Sequence, residues 1–445
     1  MVRSAQGSLT LTSSDPAQSD RLRQDLLTIV RNGIDAASPS RALTHALRDP
    51  QFHATLARPL HIVVAGKAAA SMAATVAAQT NLSVRTLVAV GTHRPSALPS
   101  VVEWHEAAHP LPDERSVRAG RRVQAIAANV SRDETLLLLL SGGASALLAV
   151  PANGVTLEDK QRTIDLMMRS SADIHALNTV RKHLSDIKGG QLATATPGAT
   201  LTLAVSDVMD DDVSVIGSGP GVADGSTWSD AAVALERFGG DRHPSAVRHR
   251  IAAGCASCIP DTPKSDDPRL TQASGQVIAS RQNAIEGARV AASMLGYTSV
   301  VLPHAVVGEA RDAARHWHGH VTAIAATVTS PLCVISAGET TVHVKGTGRG
   351  GRNQEFALAL AQVMQHSPGI ELAASVGTDG VDGPTDAAGA FVDPRTIARA
   401  RALNVDASAS LDANDSFAFF EALNDLIRVG RTDTNVGDLQ VYLRG

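Results

Sequence analysis

The chain has 445 residues, with 40 Lys and Arg against 44 Asp and Glu, a formal charge of −4, and 44% of it is hydrophobic. That near-neutral balance excludes the electrostatic footprint of a nucleic-acid binder, and 7 Phe, 3 Trp and 2 Tyr supply few platforms for stacking bases. The cores must be aliphatic, which suits sheets covered by helices; no apolar run reaches the about 18 residues of a membrane span, because Leu136–Val150 is broken by Gly142 and Gly143.

Residues 1–20 are Ser/Thr-rich, lack the apolar stretch of a secretory signal, and are expected to form a disordered tail. From Arg21, the spacing of Leu22, Leu26, Ile29 and Val30 predicts a first helix. Four apolar runs follow: HIVVAG (61–66), TLVAVG (86–91), TLLLLLSGG (135–143) and ATLTLAVSD (199–207). Each ends in Gly, Ser or Asp and most lead into a helical stretch, a rhythm that predicts a parallel sheet with ligands gathered at the strand C-termini. Residues 260–275, with three prolines, read as a linker. This gives an N-terminal α/β domain over 21–259 and a C-terminal one over 276–445. In the latter, QVIAS, a helix over 283–295, TSVVLP, LCVIS, ETTVHVK, the helix NQEFALALAQVM, the strand LAASVGTDG and the helix NDSFAFFEALNDLI succeed one another.

Several of these junctions carry chemistry. Lys67 follows the first strand in AGK and is a candidate ligand for phosphate or carboxylate. The stretch Ser141, Gly142, Gly143, Ala144, Ser145 has the composition of a phosphate cradle without being a Walker A loop. In LNTVRKHLSDIKGGQLA (177–193), Asn178, Arg181, Lys182 and Ser185 share one helical face with no acidic partner, which favours an anion. Asp207, at the end of its strand, is the best Mg²⁺ candidate among the carboxylates of VSDVMDDD. KGTGRGGRNQE (345–355) matches G-x-G-x-x-G, yet Arg349 and Arg352 favour an anion clamp over a dinucleotide site. GTDGVDGPTDAAG (377–389) places Asp379 where it could orient a hydroxyl. Cys255 and Cys258 form a lone C-x-x-C, and with Cys333 the odd cysteine count argues against a disulfide framework and for a reducing, cytoplasmic setting. His316, His318 and His320 read as a helix face rather than a zinc site.

AGKAAASM, AHPLPDERS, LSGGASALL, LNTVRKHLSDIKGGQLA, SDVMDDDVSVIGSGP, SAGETTVHVKGTGRGGRNQE, VGTDGVDGPTDAAG, NDSFAFF and TDTNVGDL occur in the order seen in class II glycerate kinases, which the chain resembles from about residue 21 to its end. The resemblance implies two α/β domains, an N-terminal Rossmann-like parallel sheet sandwiched by helices and a C-terminal MOFRL domain, with the active site in the cleft between them. It implies ATP-dependent phosphorylation of D-glycerate, at the 2-hydroxyl, with Mg²⁺ or another divalent cation. By motif, Lys67 and Arg352 fall on the pair regarded as catalytic, and Asp379 on the acidic GTDG position. Around them, Ser141, Gly142, Gly143, Ala144, Ser145, Lys182 and Ser206 are expected to hold ATP. Asp207 is expected to hold the metal, and His109, Arg181, Arg349, Asn353 and Glu355 the substrate. A monomer or homodimer acting on a small molecule, without nucleic acid or membrane, is expected. No aromatic residue lies in these loops, which predicts loose selectivity for the nucleotide base. The glycine fingerprint supports one alternative, an NAD(P)-dependent hydroxypyruvate reductase.

Overall fold

The computed structural model describes residues 16–367 and 369–445. The expected tail lies outside the described residues up to residue 15; residues 16–20 open a helix, Pro16–Ala36. The chain forms two compact units. One comprises residues 35–283 and 432–436; the other takes residues up to 34 together with 284–431 and 437–445.

The first unit is built on six strands: β1 (Leu60–Ala65), β2 (Val84–Gly91), β3 (Glu103–Glu106), β4 (Thr135–Leu140), β5 (Ala199–Val205) and β6 (Ala273–Ala279). They pair in the order β3-β2-β1-β4-β5-β6, parallel throughout. The expected parallel sheet is therefore present, and its reason is visible in β4, whose six residues TLLLLL are all buried. A strand covered on both faces has no polar positions to alternate, and each such leucine contributes roughly 1.5–3 kcal/mol. Val63, Val88, Leu136 and Leu138 meet Val123 and Ile126 of the helix Glu114–Ala128 on one face. A second cluster gathers the helices Leu157–Arg169, Ile174–His183, Trp228–Arg237 and Ser245–Cys255 around Trp228 and Phe238. The helix read in 177–193, expected to end at Lys188 before Gly189 and Gly190, ends at His183, and Leu184 to Gly190 form the turn that follows.

Two boundaries differ from the sequence reading. Residues 260–275 are not a bare linker: Asp224 N–H donates to Pro263 O, Thr262 is buried, and residues 273–275 begin β6, whose side-chain-poor start ASG pairs with β5. QVIAS thus completes the first sheet instead of opening the second. Conversely, the helix Pro16–Ala36 belongs to the second unit, where Leu22, Leu26, Ile29 and Val30 pack with Ile335, Leu439 and Val441.

The second unit holds β7 (Thr298–Val301), β8 (Val306–Glu309), β9 (Leu332–Thr341), β10 (Glu371–Gly377), β11 (Gly389–Val392), β12 (Leu426–Ile427) and β13 (Asp438–Arg444). The order is β12-β11-β10-β13-β9-β7, with β8 also beside β9. Only β7 and β8 run parallel to β9; the other pairings are antiparallel, so this sheet is mixed where the repeated rhythm predicts a parallel one. LCVIS and ETTVHVK, read as two strands, contribute to the single strand β9. Alternation divides its residues between two cores: Leu332 and Val334 face the helices Ala310–Ala325 and Arg352–Met364, while Cys333, Ile335 and Ala337 face Pro16–Ala36 and Arg281–Met294. Among the described residues, no helix is long and apolar enough to cross a membrane.

Candidate active site

In the first unit the loops after β1 and β4 are tied together. Ser141 N–H donates to Ala65 O at 3.0 Å, Lys67 N–H to Gly142 O at 2.8 Å, and Ala68 N–H to Ser141 Oγ at 3.0 Å. This close stitching needs glycine: Gly66 has φ +129°, and a Cβ there would lie 2.1 Å from Ser141 Oγ. Ser141 therefore serves as a brace between two loops, buried and already accepting a hydrogen bond. Gly143, at φ +85°, lies against the His109 ring and the Lys67 stem, 3.0 and 3.6 Å from where its Cβ would be. Gly142 lies in the same way against an Asp207 oxygen and Asn435 Nδ2. Lys67, His109, Asp207 and the glycines thus come together. Desolvation, then the charges of Lys67 and Arg181, lower the His109 pKa, so its imidazole is neutral near pH 7.

Ser145 is tied further back. Its hydroxyl bonds Ser218 Oγ at 2.8 Å, and Ser218 Oγ donates to Asn178 Oδ1 at 2.8 Å. Lys188, which the sequence reading takes only as a helix end, is buried and donates to Ser145 O at 2.9 Å and Gly217 O at 3.3 Å. The sequence offered a signal for it, a lysine directly before two glycines, but not its direction.

Two expected ATP ligands are corrected. Lys182 is buried in an ion pair with Asp224 at 3.0 Å, so its charge is already neutralised within the fold. Ser206 is 1% exposed and its hydroxyl closes a turn with Val208, accepting from the N–H and donating to the carbonyl. Ala144 is buried and offers backbone only. Arg181 remains as a half-buried guanidinium at the end of its helix.

In the second unit Arg352 opens the helix Arg352–Met364. Its Nε lies 3.0 and 2.8 Å from the two oxygens of Asp438, and Nη1 donates to Glu339 Oε1 at 2.7 Å. Burial disfavours its charge, but Asp438 and Glu339 prevail and raise its pKa. Asp438 is buried at the start of β13; burial pushes its carboxyl up to about 6 even though Arg352 pulls it down. Sequence reasoning missed both carboxylates, since one lies in the strand GETT and the other follows a turn far along the chain.

Asn353 and Glu355, expected to touch substrate, are corrected to structural roles. Asn353 is 1% exposed, donates to Asp382 and Asp438, and accepts from Ser375 Oγ at 2.6 Å. Glu355 is buried between Arg311 Nε at 2.7 Å and Asn414 Nδ2 at 3.0 Å. A ladder of buried hydrogen bonds continues from Asn353 through Ser375, Gln440 and Ser336 to Trp317. Asp379 is half-buried, its Oδ1 accepting from Val381 N–H at 3.1 Å. Arg349 is exposed with its guanidinium 4.8 Å from the centre of the Phe417 ring.

The glycine fingerprint before this helix does not form a dinucleotide site. A pyrophosphate would need the first helical N–H groups, but Asn353 and Gln354 N–H already donate to the two oxygens of Asp382 at 3.0 and 2.8 Å. A Cβ on Gly351 would lie 2.3 Å from the same carboxylate. The loop itself is pinned by Asn414 Oδ1, which accepts from Lys345 and Gly346 N–H.

The MOFRL family matches residues 332–438, and a domain of unknown function, DUF4147, matches residues 25–252. A D-glycerate 2-kinase from Thermotoga maritima is 36% identical over 95% of this chain and 99% of its own length. The chain belongs to the glycerate kinase family. The crystal structure of glycerate kinase from Thermotoga maritima superposes with a TM-score of 0.84 at 34% identity, covering 96% of this chain and 100% of that one. Another relative of the family, from Agrobacterium vitis, is 38% identical over 95% of this chain and 94% of its own length, and is named provisionally as a hydroxypyruvate reductase.

Proposed function

We propose that this glycerate kinase family member transfers a phosphoryl group from ATP to the 2-hydroxyl of D-glycerate, giving 2-phosphoglycerate. The observation that carries this reading is the stitched pair of strand-end loops in the first unit, which gathers Lys67, His109 and the Ser141–Ser145 turn at one place. Phosphoryl transfer asks a protein mainly to position two anions and to neutralise charge on the moving group. Lys67 and Arg352 neutralise that charge. Gly142, Gly143 and Ser145 lie along the nucleotide phosphates, while His109, Arg181 and Arg349 hold the acceptor. Asp379 orients the attacking hydroxyl and takes its proton.

A divalent cation fits at Asp207. This carboxylate stands two residues beyond β5 and lies against Gly142. Mg²⁺ commonly uses one or two carboxylates and completes its shell with water and phosphate. When bound, it would neutralise charge on the nucleotide phosphates.

Incubating the protein with D-glycerate, ATP and Mg²⁺ and following phosphorus NMR tests the proposal, because the product resonance identifies both the reaction and the hydroxyl attacked. ADP with 2-phosphoglycerate is the expected result. Oxidation of glycerate with NAD(P) and no ADP would overturn it.

A further inference from the structure

Gly351 precedes the helix Arg352–Met364 and has no side chain with which to cap it. The cap comes instead from Asp382, in the loop between β10 and β11. Asp382 is 2% exposed; its Oδ1 accepts from Asn353 N–H at 3.0 Å and Asn353 Nδ2 at 3.3 Å, and its Oδ2 from Gln354 N–H at 2.8 Å. A buried carboxylate is costly unless donors surround it. Here three N–H groups and the positive end of the helix do so. With both oxygens engaged and almost no exposed surface, Asp382 acts through its neighbours rather than on a ligand.

The same loop carries Asp379, and its start is fastened beside Asp438: Thr378 donates to Gly437 O through its N–H at 3.0 Å and through its hydroxyl at 2.6 Å. Between the two fastenings, Val381 N–H donates to Asp379 Oδ1 at 3.1 Å. Asn353 Nδ2 also donates to Asp438 Oδ1 at 2.9 Å, and that oxygen accepts from Arg352 Nε at 3.0 Å. Arg352, Asp438, the loop 378–382 and Asp382 therefore close a ring of contacts within the second unit, in which Asp382 joins the loop to the helix start.

We propose that Asp382 is a positioning residue, holding the loop that bears Asp379 in register with the helix start that bears Arg352, so that the group orienting the acceptor hydroxyl and the group neutralising the moving phosphoryl stay aligned. This rests on the kinase reading above. Asp382→Asn keeps the shape but turns an NH2 toward one of the helix N–H groups. Because a misplacement of about 1 Å can cost about 100-fold in rate, steady-state kinetics should show kcat lowered about 30-fold with both KM values within about 3-fold of wild type. An unchanged kcat, or a loss carried by KM alone, would overturn the proposal. Alignment matters only while both aligned groups are present, so in an Arg352→Lys background the same substitution should cost less than about 3-fold further. An equal loss in both backgrounds would mark general loosening and count against the role. Thr385→Val removes a hydroxyl that donates to Asp382 O at 2.8 Å and accepts from Gln354 Nε2 at 3.0 Å, loosening the same joint while leaving the carboxylate and its donors in place. It should lower kcat about 5-fold at unchanged KM even if Asp382→Asn fails to fold, and a wild-type kcat here refutes the role. Hydrogen exchange judges the joint without turnover. Peptides covering 352–358 and 377–383 should exchange faster together in Thr385→Val, whereas acceleration of neither, or of only one, breaks the proposal. Absence of ADP from the wild-type protein would sink the kinase reading alone, and the exchange result would then decide whether the joint exists.

Discussion

Single buried charges set the chemistry of both units. Burial holds Lys160 down to about 7, against roughly 10.4 for an unfolded lysine. Between those values the unfolded chain binds the extra proton, so stability rises with pH across that window and is lowest at its acid end. Lys160→Met gives up one hydrogen bond to Leu184 O but should flatten this slope in melts from pH 7 to 10, gaining most at pH 7. Parallel slopes in the two proteins would contradict the assignment. Asp438 is the counterpart on the other unit. Asp438→Asn removes the carboxylate that holds Arg352 Nε from both oxygens, leaving the guanidinium to Glu339 alone. A fall in kcat of about 100-fold, with a smaller change in KM, is expected from steady-state rates. Partial charge burial without its partner should also cost roughly 3–5 kcal/mol in a denaturant titration.

At the level of elements, the glycine loop before Arg352 owes its shape to a segment some seventy residues later. Asn414, with φ +52°, accepts from Lys345 and Gly346 N–H and donates to Glu355, while Asp415 accepts from Arg349 N–H. Asn414→Ala should release the loop at a cost of about 1–3 kcal/mol. Limited trypsin digestion then cuts faster at Lys345 and Arg349, and unchanged digestion rates would argue that the loop is held by its glycines alone. The strand β13 illustrates why some elements are hard to read. In DLQVYLR, Leu439, Val441 and Leu443 enter one core, whereas Gln440 and Tyr442 enter the other side. Gln440 looks solvent-facing by its polarity, yet it is buried because Ser336 and Ser375 supply its partners.

Across the whole molecule, continuity along the chain and membership of a core part company. The helix Pro16–Ala36 supplies Leu22, Leu26, Ile29 and Val30 to the core that contains Leu439 and Val441. A fragment of residues 284–445 lacks that cover and is expected to aggregate, its sheet face exposed. Adding a peptide of residues 16–36 should recover soluble, folded material by circular dichroism; a fragment that folds without it would show the helix to be dispensable.

Sequence alone was sufficient for what is local or periodic. The fully apolar run of β4, the amphipathic first helix and the glycine-rich turns after β1 and β4 announce themselves through spacing and composition, because burial on both faces, a single apolar stripe and close backbone approach each demand particular residues. The ordered motifs likewise carried the resemblance to glycerate kinases, and with it His109, while Lys67 and Asp207 were legible because each follows a strand end. Only the tertiary structure decided which charges remain available. Lys182 and Arg181 are neighbours on one helix, yet Lys182 meets Asp224, forty-two residues away, while Arg181 pairs with no carboxylate among the described residues. Asn353 and Glu355 follow Arg352 directly, yet they turn inward to partners that only folding brings near. Whether a polar side chain serves the fold or faces a ligand depends on what distant segments place beside it, and spacing along the chain does not encode that distance.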